Sequence, residues 1–276
     1  MNFTGLGESI GSPLVVQNGC GCTPEGCLNF LLQVELKMNI KKTMKRLLKK
    51  KVFSMEDVID PEIVNDPFAG WISDICSRRE VRSIIEIGSS SGDGSTQAII
   101  NGIKGRSDLS EMIICCFELS QVRFENLEKN VSTFDVVYPY NLPSIASSEF
   151  PSEDEVEKFM VDCDGPLKSL PVERVVGWLR QDIEYVRRSG RDINGISAVK
   201  LRHNLETFDA AIIDGSEFTG AVELRYLIGS KYILLDDTET FKCRFAFEQL
   251  TSDPRYDCLA YDPKLRNGYA IFERID

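Results

Sequence analysis

Three clusters of carboxylates and glycines are the residues of this chain best suited to do chemistry. The first is the run Glu86-Ile87-Gly88-Ser89-Ser90-Ser91-Gly92-Asp93-Gly94-Ser95-Thr96, in which an apolar stretch ends in a carboxylate and then turns through glycines and hydroxyls into a helix start. Glycine lets a backbone turn tightly and approach a ligand closely. The spacing is G-x3-G-x-G, not the G-x-G-x-x-G of dinucleotide binders. An acidic residue ahead of the first glycine would also face a pyrophosphate unfavourably. It suits a ligand with a cationic amino acid part, such as S-adenosylmethionine (SAM), held by Glu86, Gly88, Ser89, Gly92, Ser95 and Thr96. A plain glycine-rich connection in an α/β fold would use the same residue types.

The second cluster is Glu118, which closes the apolar run Cys116-Phe117-Glu118. A carboxylate at that place can accept both hydroxyls of a ribose. It follows Gly88 by thirty residues, against the usual ~20, and the polar stretch 104–110 accounts for the excess. The third cluster joins Ile213-Asp214-Gly215-Ser216-Glu217 to Leu235-Asp236-Asp237. Both acidic ends follow apolar strands, and the ends of neighbouring strands lie ~5 Å apart. Asp214, Asp236 and Asp237 at that separation repel one another unless a cation lies between them. Oxygen-only ligands suit Mg²⁺ or Mn²⁺. The bland alternative is that one Asp caps a helix and another is solvated.

These residues need strands that end together. Apolar runs are expected as strands at 81–87, 112–118, 134–140, 208–214 and 231–236, with helices starting at 96, 121 and 240 and another between the last two strands. Two closing strands near 257–261 and 269–274 flank Asn267-Gly268, a hairpin signal. Alternation of apolar strands with helices means a Rossmann-like, doubly wound, mostly parallel α/β sheet of seven strands, the last antiparallel. Residues 141–193 interrupt the alternation. There Ser152 and Glu155 form a capping box, and Pro171 opens an apolar-striped helix. Such an insertion is a lid or substrate wall, or an extension of the core.

Ahead of this domain, 81–276, lie a loosely ordered stretch, 1–33, and N-terminal helices, 34–80. A helix is expected over 61–79. Lys37 to Lys51 carry eight basic and no acidic side chains, while the whole chain of 276 residues has net charge −11. The remainder therefore carries −19, a surface that disfavours nucleic acid. The basic helix can pack on the domain, on a second copy of the chain, or at a membrane surface, although its apolar face is short. Cys20, Cys22 and Cys27 have no fourth Cys or His nearby, so mobile free thiols are the simpler reading than zinc or iron–sulfur. Nine cysteines without a disulfide ladder suggest a reducing compartment. No apolar run is long enough for stable membrane insertion and no signal peptide is visible, so a cytoplasmic protein is expected.

From about Val81 to Arg274 the chain resembles class I SAM-dependent methyltransferases. IDGSEF and LLDD look most like the macrocin- and mycinamicin-type sugar O-methyltransferases. The whole pattern is similar to uncharacterised methyltransferases associated with polysaccharide gene clusters. The resemblance implies SAM as cofactor, with Asp214 among the residues that bind it, a magnesium site at Asp214, Asp236 and Asp237, and a hydroxylated small molecule, sugar or glycan as acceptor. The family's Asp-Gly-x-His base falls on Glu217, a departure, since a free Glu with pKa ~4.3 is a weak base for an alcohol. His203, the sole histidine, is expected exposed on the helix before the fourth strand. Two alternatives stand beside methyl transfer. One is a non-catalytic SAM-binding or scaffold protein of the same fold. The other is a hydroxylase-like enzyme, which a single His makes hard to build with two-His iron ligation.

Overall fold

The sheet is assembled from short strands whose side chains are almost all apolar. In the computed structural model, residues 55–275 are described. The readings of 1–33, of the basic helix and of Cys20, Cys22 and Cys27 lie outside them, as does pairing of two copies through that helix. The strands are β1 (Ser83–Ile87), β2 (Ile113–Phe117), β3 (Val137–Tyr140), β4 (Ala210–Ile213), β5 (Tyr232–Asp236), β6 (Tyr256–Asp262) and β7 (Tyr269–Arg274). Their order is β3-β2-β1-β4-β5-β7-β6. β1 to β5 run parallel, and β7 is antiparallel to both β5 and β6. This is the doubly wound, mostly parallel seven-stranded sheet expected from the sequence.

Alternation along each strand feeds two apolar layers, because successive side chains point to opposite faces. One layer joins Ile84, Ile114, Cys116 and Ile212 to α1 (Pro67–Ser77), α2 (Ser95–Ile103) and α3 (Gln121–Val131). The other joins Ile85, Cys115, Phe117, Ile213 and Leu235 to α6 (Gly195–His203), α7 (Gly220–Leu227) and α8 (Phe241–Ser252). The adjacent Cys115 and Cys116 thus belong to different layers. Both are buried, as expected, and burial pushes both thiols up. α1 comes close to α2 because Gly102 faces it: a Cβ there would lie 2.4 Å from the Ser73 carbonyl oxygen.

α1 begins later than the expected residue 61. Asp66 caps it by accepting from the Ala69 amide at 2.9 Å, and Pro67 occupies its first turn. That is the stronger start signal, since proline has no amide to lose there. The strand expected from 134 begins at Val137.

The insertion contains α4 (Glu153–Asp162) and α5 (Val172–Arg188). Ser152 and Glu155 make the capping box, and Pro171 sits at the N-cap of α5. Val156, Met160, Leu167, Val175, Val176 and Leu179 form a third apolar cluster with Phe218 and Phe241. The insertion therefore packs on the turn after β4 and on the start of α8. Among the described residues no helix is long and apolar enough to cross a membrane.

Candidate functional site

Every carboxylate singled out at a strand end comes to one edge of the sheet. β1 is flanked by β2 and β4, with Ile87 level with Phe117 on one side and Ile213 on the other. β4 is level with β5 through Ile213 and Leu235. The chain leaves β1 toward β2 on one side, while β4 lies on the other. The crevice above β1 and β4 is thus a topological switch point, where open α/β sheets take their ligands.

Glu86 is fully buried under the turn. Its Oε2 accepts from Ser89 Oγ at 2.6 Å and Thr96 Oγ1 at 2.7 Å, tying the turn to the start of α2. The turn runs through left-handed backbone at Gly88 (φ 87°), Ser90 (φ 50°) and Gly92 (φ 82°). A Cβ on Gly88 would fall 2.1 Å from the Asp214 carbonyl oxygen, so the turn rests directly on the end of β4. Gly92 instead faces Leu127, at 2.9 Å from where its Cβ would be, and serves packing. Asn130 holds the turn from α3, donating to Ser91 O at 2.9 Å and Asp93 Oδ1 at 3.0 Å. Ser95 is buried in the first turn of α2. Ser90 is a non-glycine residue in a strained conformation, and its solvent-shielded Oγ has no hydrogen-bond partner among the described residues.

Glu118 is buried one residue past β2. Its Oε1 accepts from the Ser120 amide at 2.7 Å, and Oε2 lies 3.9 Å from Arg123 Nη1. Burial raises its pKa, and Arg123 works against that rise. A neighbouring strap, not found from the sequence, runs beside it. Glu56 accepts from Ser120 Oγ at 3.0 Å and from the Val122 amide at 3.2 Å, and Tyr185 of α5 also donates to it. From the same helix Asp182 accepts from Ser216 Oγ at 2.5 Å. α5 is therefore bonded to both sides of the crevice.

On the other side, Asp214, Asp236 and Asp237 bring one carboxylate oxygen each within 4.8 Å of one another. Two side chains that sequence reasoning missed lie among them. Lys242 Nζ pairs with Asp214 Oδ1 at 2.8 Å and Asp237 Oδ2 at 2.6 Å. Arg266 Nη2 pairs with Asp236 Oδ1 at 2.5 Å, and its Nη1 pairs with Asp66. Asn267 Nδ2 donates to Asp237 Oδ1 at 2.8 Å. Burial, reinforced by the charges of Asp214 and Asp237, pushes the Asp236 carboxyl up, and Arg266 works against that rise. Burial also acts on Asp237, but Lys242 holds that carboxyl below its usual value. Lys242 carried a signal in the sequence. It stands in the first turn of a helix capped by Thr240, where the helix dipole disfavours a cation, six residues after Asp236.

Glu217 is half-buried in the turn after β4, and its charge acts on Lys242. A further carboxylate, Glu223 of α7, is fully buried, its Oε1 3.1 Å from where a Cβ on Gly215 of the same turn would stand. Glu223 Oε1 accepts from Ser144 Oγ at 2.5 Å and Thr219 Oγ1 at 2.7 Å. His203 is half-buried rather than exposed, with Nε2 2.6 Å from the Tyr140 hydroxyl and its ring against Tyr138. It belongs to the β3 edge.

No family model matches the sequence, and no curated protein matches it. Among solved structures, the chain is similar to an O-methyltransferase from Bacillus cereus in complex with SAH, at 12% identity and TM-score 0.43, over 85% of this chain and 90% of that one. It is similar to a methyltransferase from Geobacter sulfurreducens at 10% identity and TM-score 0.44, over 86% and 89% of the two chains. It is also similar to an rRNA methylase from Streptococcus thermophilus at 11% identity and TM-score 0.41, over 77% and 99%. At these values the likeness is one of fold.

Proposed function

We propose that this protein transfers a methyl group from SAM to a hydroxyl of a small molecule, sugar or glycan. The observation that carries the reading is the pair of buried carboxylates, Glu86 and Glu118, at the ends of adjacent strands on either side of a strained glycine turn. The parts suit the cofactor's groups. Glu118 keeps acceptor capacity for ribose hydroxyls. Ser90 Oγ offers a buried hydroxyl without a hydrogen-bond partner among the described residues. A carboxylate-lined crevice attracts a sulfonium and an ammonium, and disfavours a pyrophosphate.

When bound, SAM supplies an activated methyl group. The chain's own part is to align a hydroxyl with it and to take the proton. Alignment is the larger contribution in a reaction that needs no acid for its leaving group. Glu217, at the rim of the acidic cluster, is the proposed base. The expected Mg²⁺ or Mn²⁺ at Asp214, Asp236 and Asp237 does not fit the side chains as they stand, because Lys242 bridges two of the three carboxylates. No step is therefore assigned to a metal.

Calorimetric titration with SAM and with its demethylated product tests the reading. Saturable binding is expected, weakened by about 1–3 kcal/mol in Glu118→Ala and unchanged in Glu217→Gln. Tight NAD binding without SAM binding would overturn it.

A further inference from the structure

We propose that Lys242 is the resident cation of the acidic site, a built-in ammonium standing where this arrangement of carboxylates would otherwise hold a divalent ion. Three aspartates that meet at two neighbouring strand ends must be neutralised to be stable together. A divalent ion would do this by taking one oxygen from each. Here one oxygen of each is partnered by the protein itself. Lys242 Nζ lies 2.8 Å from Asp214 Oδ1 and 2.6 Å from Asp237 Oδ2, and Arg266 takes Asp236. Asn267 fills a further acceptor position on Asp237. The Lys242 side chain is only 10% exposed, so the ammonium is not a surface group that swings aside at no cost.

The placement of Lys242 points the same way. A lysine in the first turn of a helix opposes the dipole, and a buried ammonium without partners is costly. Both costs are met at this position only because the three carboxylates are there. The two halves of the site explain each other without a metal. A lysine is also a fixed charge with a strict hydrogen-bonding demand, whereas Mg²⁺ needs near-octahedral oxygen ligation and keeps several waters. Admitting the ion would mean breaking both of the ammonium's ion pairs and moving it out from between Asp214 and Asp237. The geometry therefore closes the site to divalent ions. Only the resting site is at issue, so a metal titration reads it independently of the proposed methyl transfer.

Mn²⁺ titration, followed by the electron paramagnetic resonance of the free ion, reads the site directly. The wild-type chain is expected to show no saturable Mn²⁺ site. Lys242→Met should create one, at least about tenfold tighter than any wild-type binding, and Asp214→Asn in the Lys242→Met background should remove it again. Stoichiometric Mn²⁺ binding by the wild type, lost in Asp214→Asn, would overturn the proposal. So would a folded Lys242→Met variant that gains no Mn²⁺ site. Should Lys242→Met fail to fold, thermal unfolding of the wild type decides. Its midpoint should be the same with EDTA and with millimolar Mn²⁺, and a rise with Mn²⁺ that Asp214→Asn abolishes would refute the inference.

Discussion

Replacing Gly88 with alanine tests how closely the turn after β1 rests on the end of β4. Two separable costs are expected. The first is conformational: at φ 87° an L-residue is in left-handed backbone, a penalty of about 1–2 kcal/mol. The second is steric. The new Cβ would lie 2.1 Å from the Asp214 carbonyl oxygen and 2.7 Å from its carbon, both backbone atoms that cannot rotate away. Overpacking of this kind costs about 1–3 kcal/mol, for a total of about 2–5 kcal/mol. Two companion variants isolate the parts. Gly190 has φ 69° with nothing within 4 Å of the place a methyl would take, so Gly190→Ala should show the conformational cost alone. Gly105 has open space and no positive φ, so Gly105→Ala should change stability by no more than about 0.5 kcal/mol. Urea unfolding midpoints at constant slope give the three values. Equal destabilisation by Gly88→Ala and Gly190→Ala would refute the contact between the turn and β4.

Other expectations follow from the buried charges. Arg266→Met should destabilise the fold by about 3–5 kcal/mol, because it strands a buried Asp236; Arg266→Lys should recover little, since one ammonium cannot fork to Asp66 and Asp236. Urea titrations would show both, and a neutral Arg266→Met would rule out the double ion pair. Glu223 has its carboxyl raised by burial, so its proton is held more tightly in the folded chain. Its stabilising contribution is complete below the unfolded value of ~4.3 and is lost as pH rises through the raised folded value. Glu223→Gln should therefore flatten the decline of thermal stability between the unfolded and the raised folded value, and an unchanged pH profile would contradict this. Among the described cysteines only Cys258 is exposed, Cys163 is half-buried, and Cys76, Cys115, Cys116 and Cys243 are buried. Mass-mapped alkylation of the native protein should label Cys258 first; early labelling of Cys115 or Cys116 would contradict the two-layer core.

The sheet and its acidic ends were legible because both depend on short-range pattern. Apolar runs in the central strands mark burial on both faces, and a carboxylate just past such a run can only emerge at the strand's end. Glu86, Glu118, Asp214 and Asp236 were placed in that way, and the capping box at Ser152 is equally local. The partners of these groups were not legible. Arg266 and Asn267 reach Asp236 and Asp237 across thirty residues, and Tyr185 reaches Glu56 across 129. Such pairings are made by the packing of the hairpin and of α5, which no local spacing encodes. The need for a cation among the aspartates was readable as electrostatics. Its identity as an amine required knowing where the first turn of α8 points.

The forked ion pair of Arg266 has a kinetic side. One guanidinium holds Asp66, which caps α1 through the Ala69 amide, and Asp236 at the end of β5. The hairpin residues around it also receive the Thr238 and Glu239 amides, through Gly268 O at 3.1 Å and Asn267 O at 2.8 Å. The tip of the final hairpin thus works as a clasp between the front of the domain and its acidic edge. Opening it would release a helix cap, two strand-end amides and a buried aspartate in a single event. In native-state hydrogen exchange the amides of Ala69, Thr238 and Glu239 should then share one opening free energy, although the first stands some 170 residues from the other two in the chain.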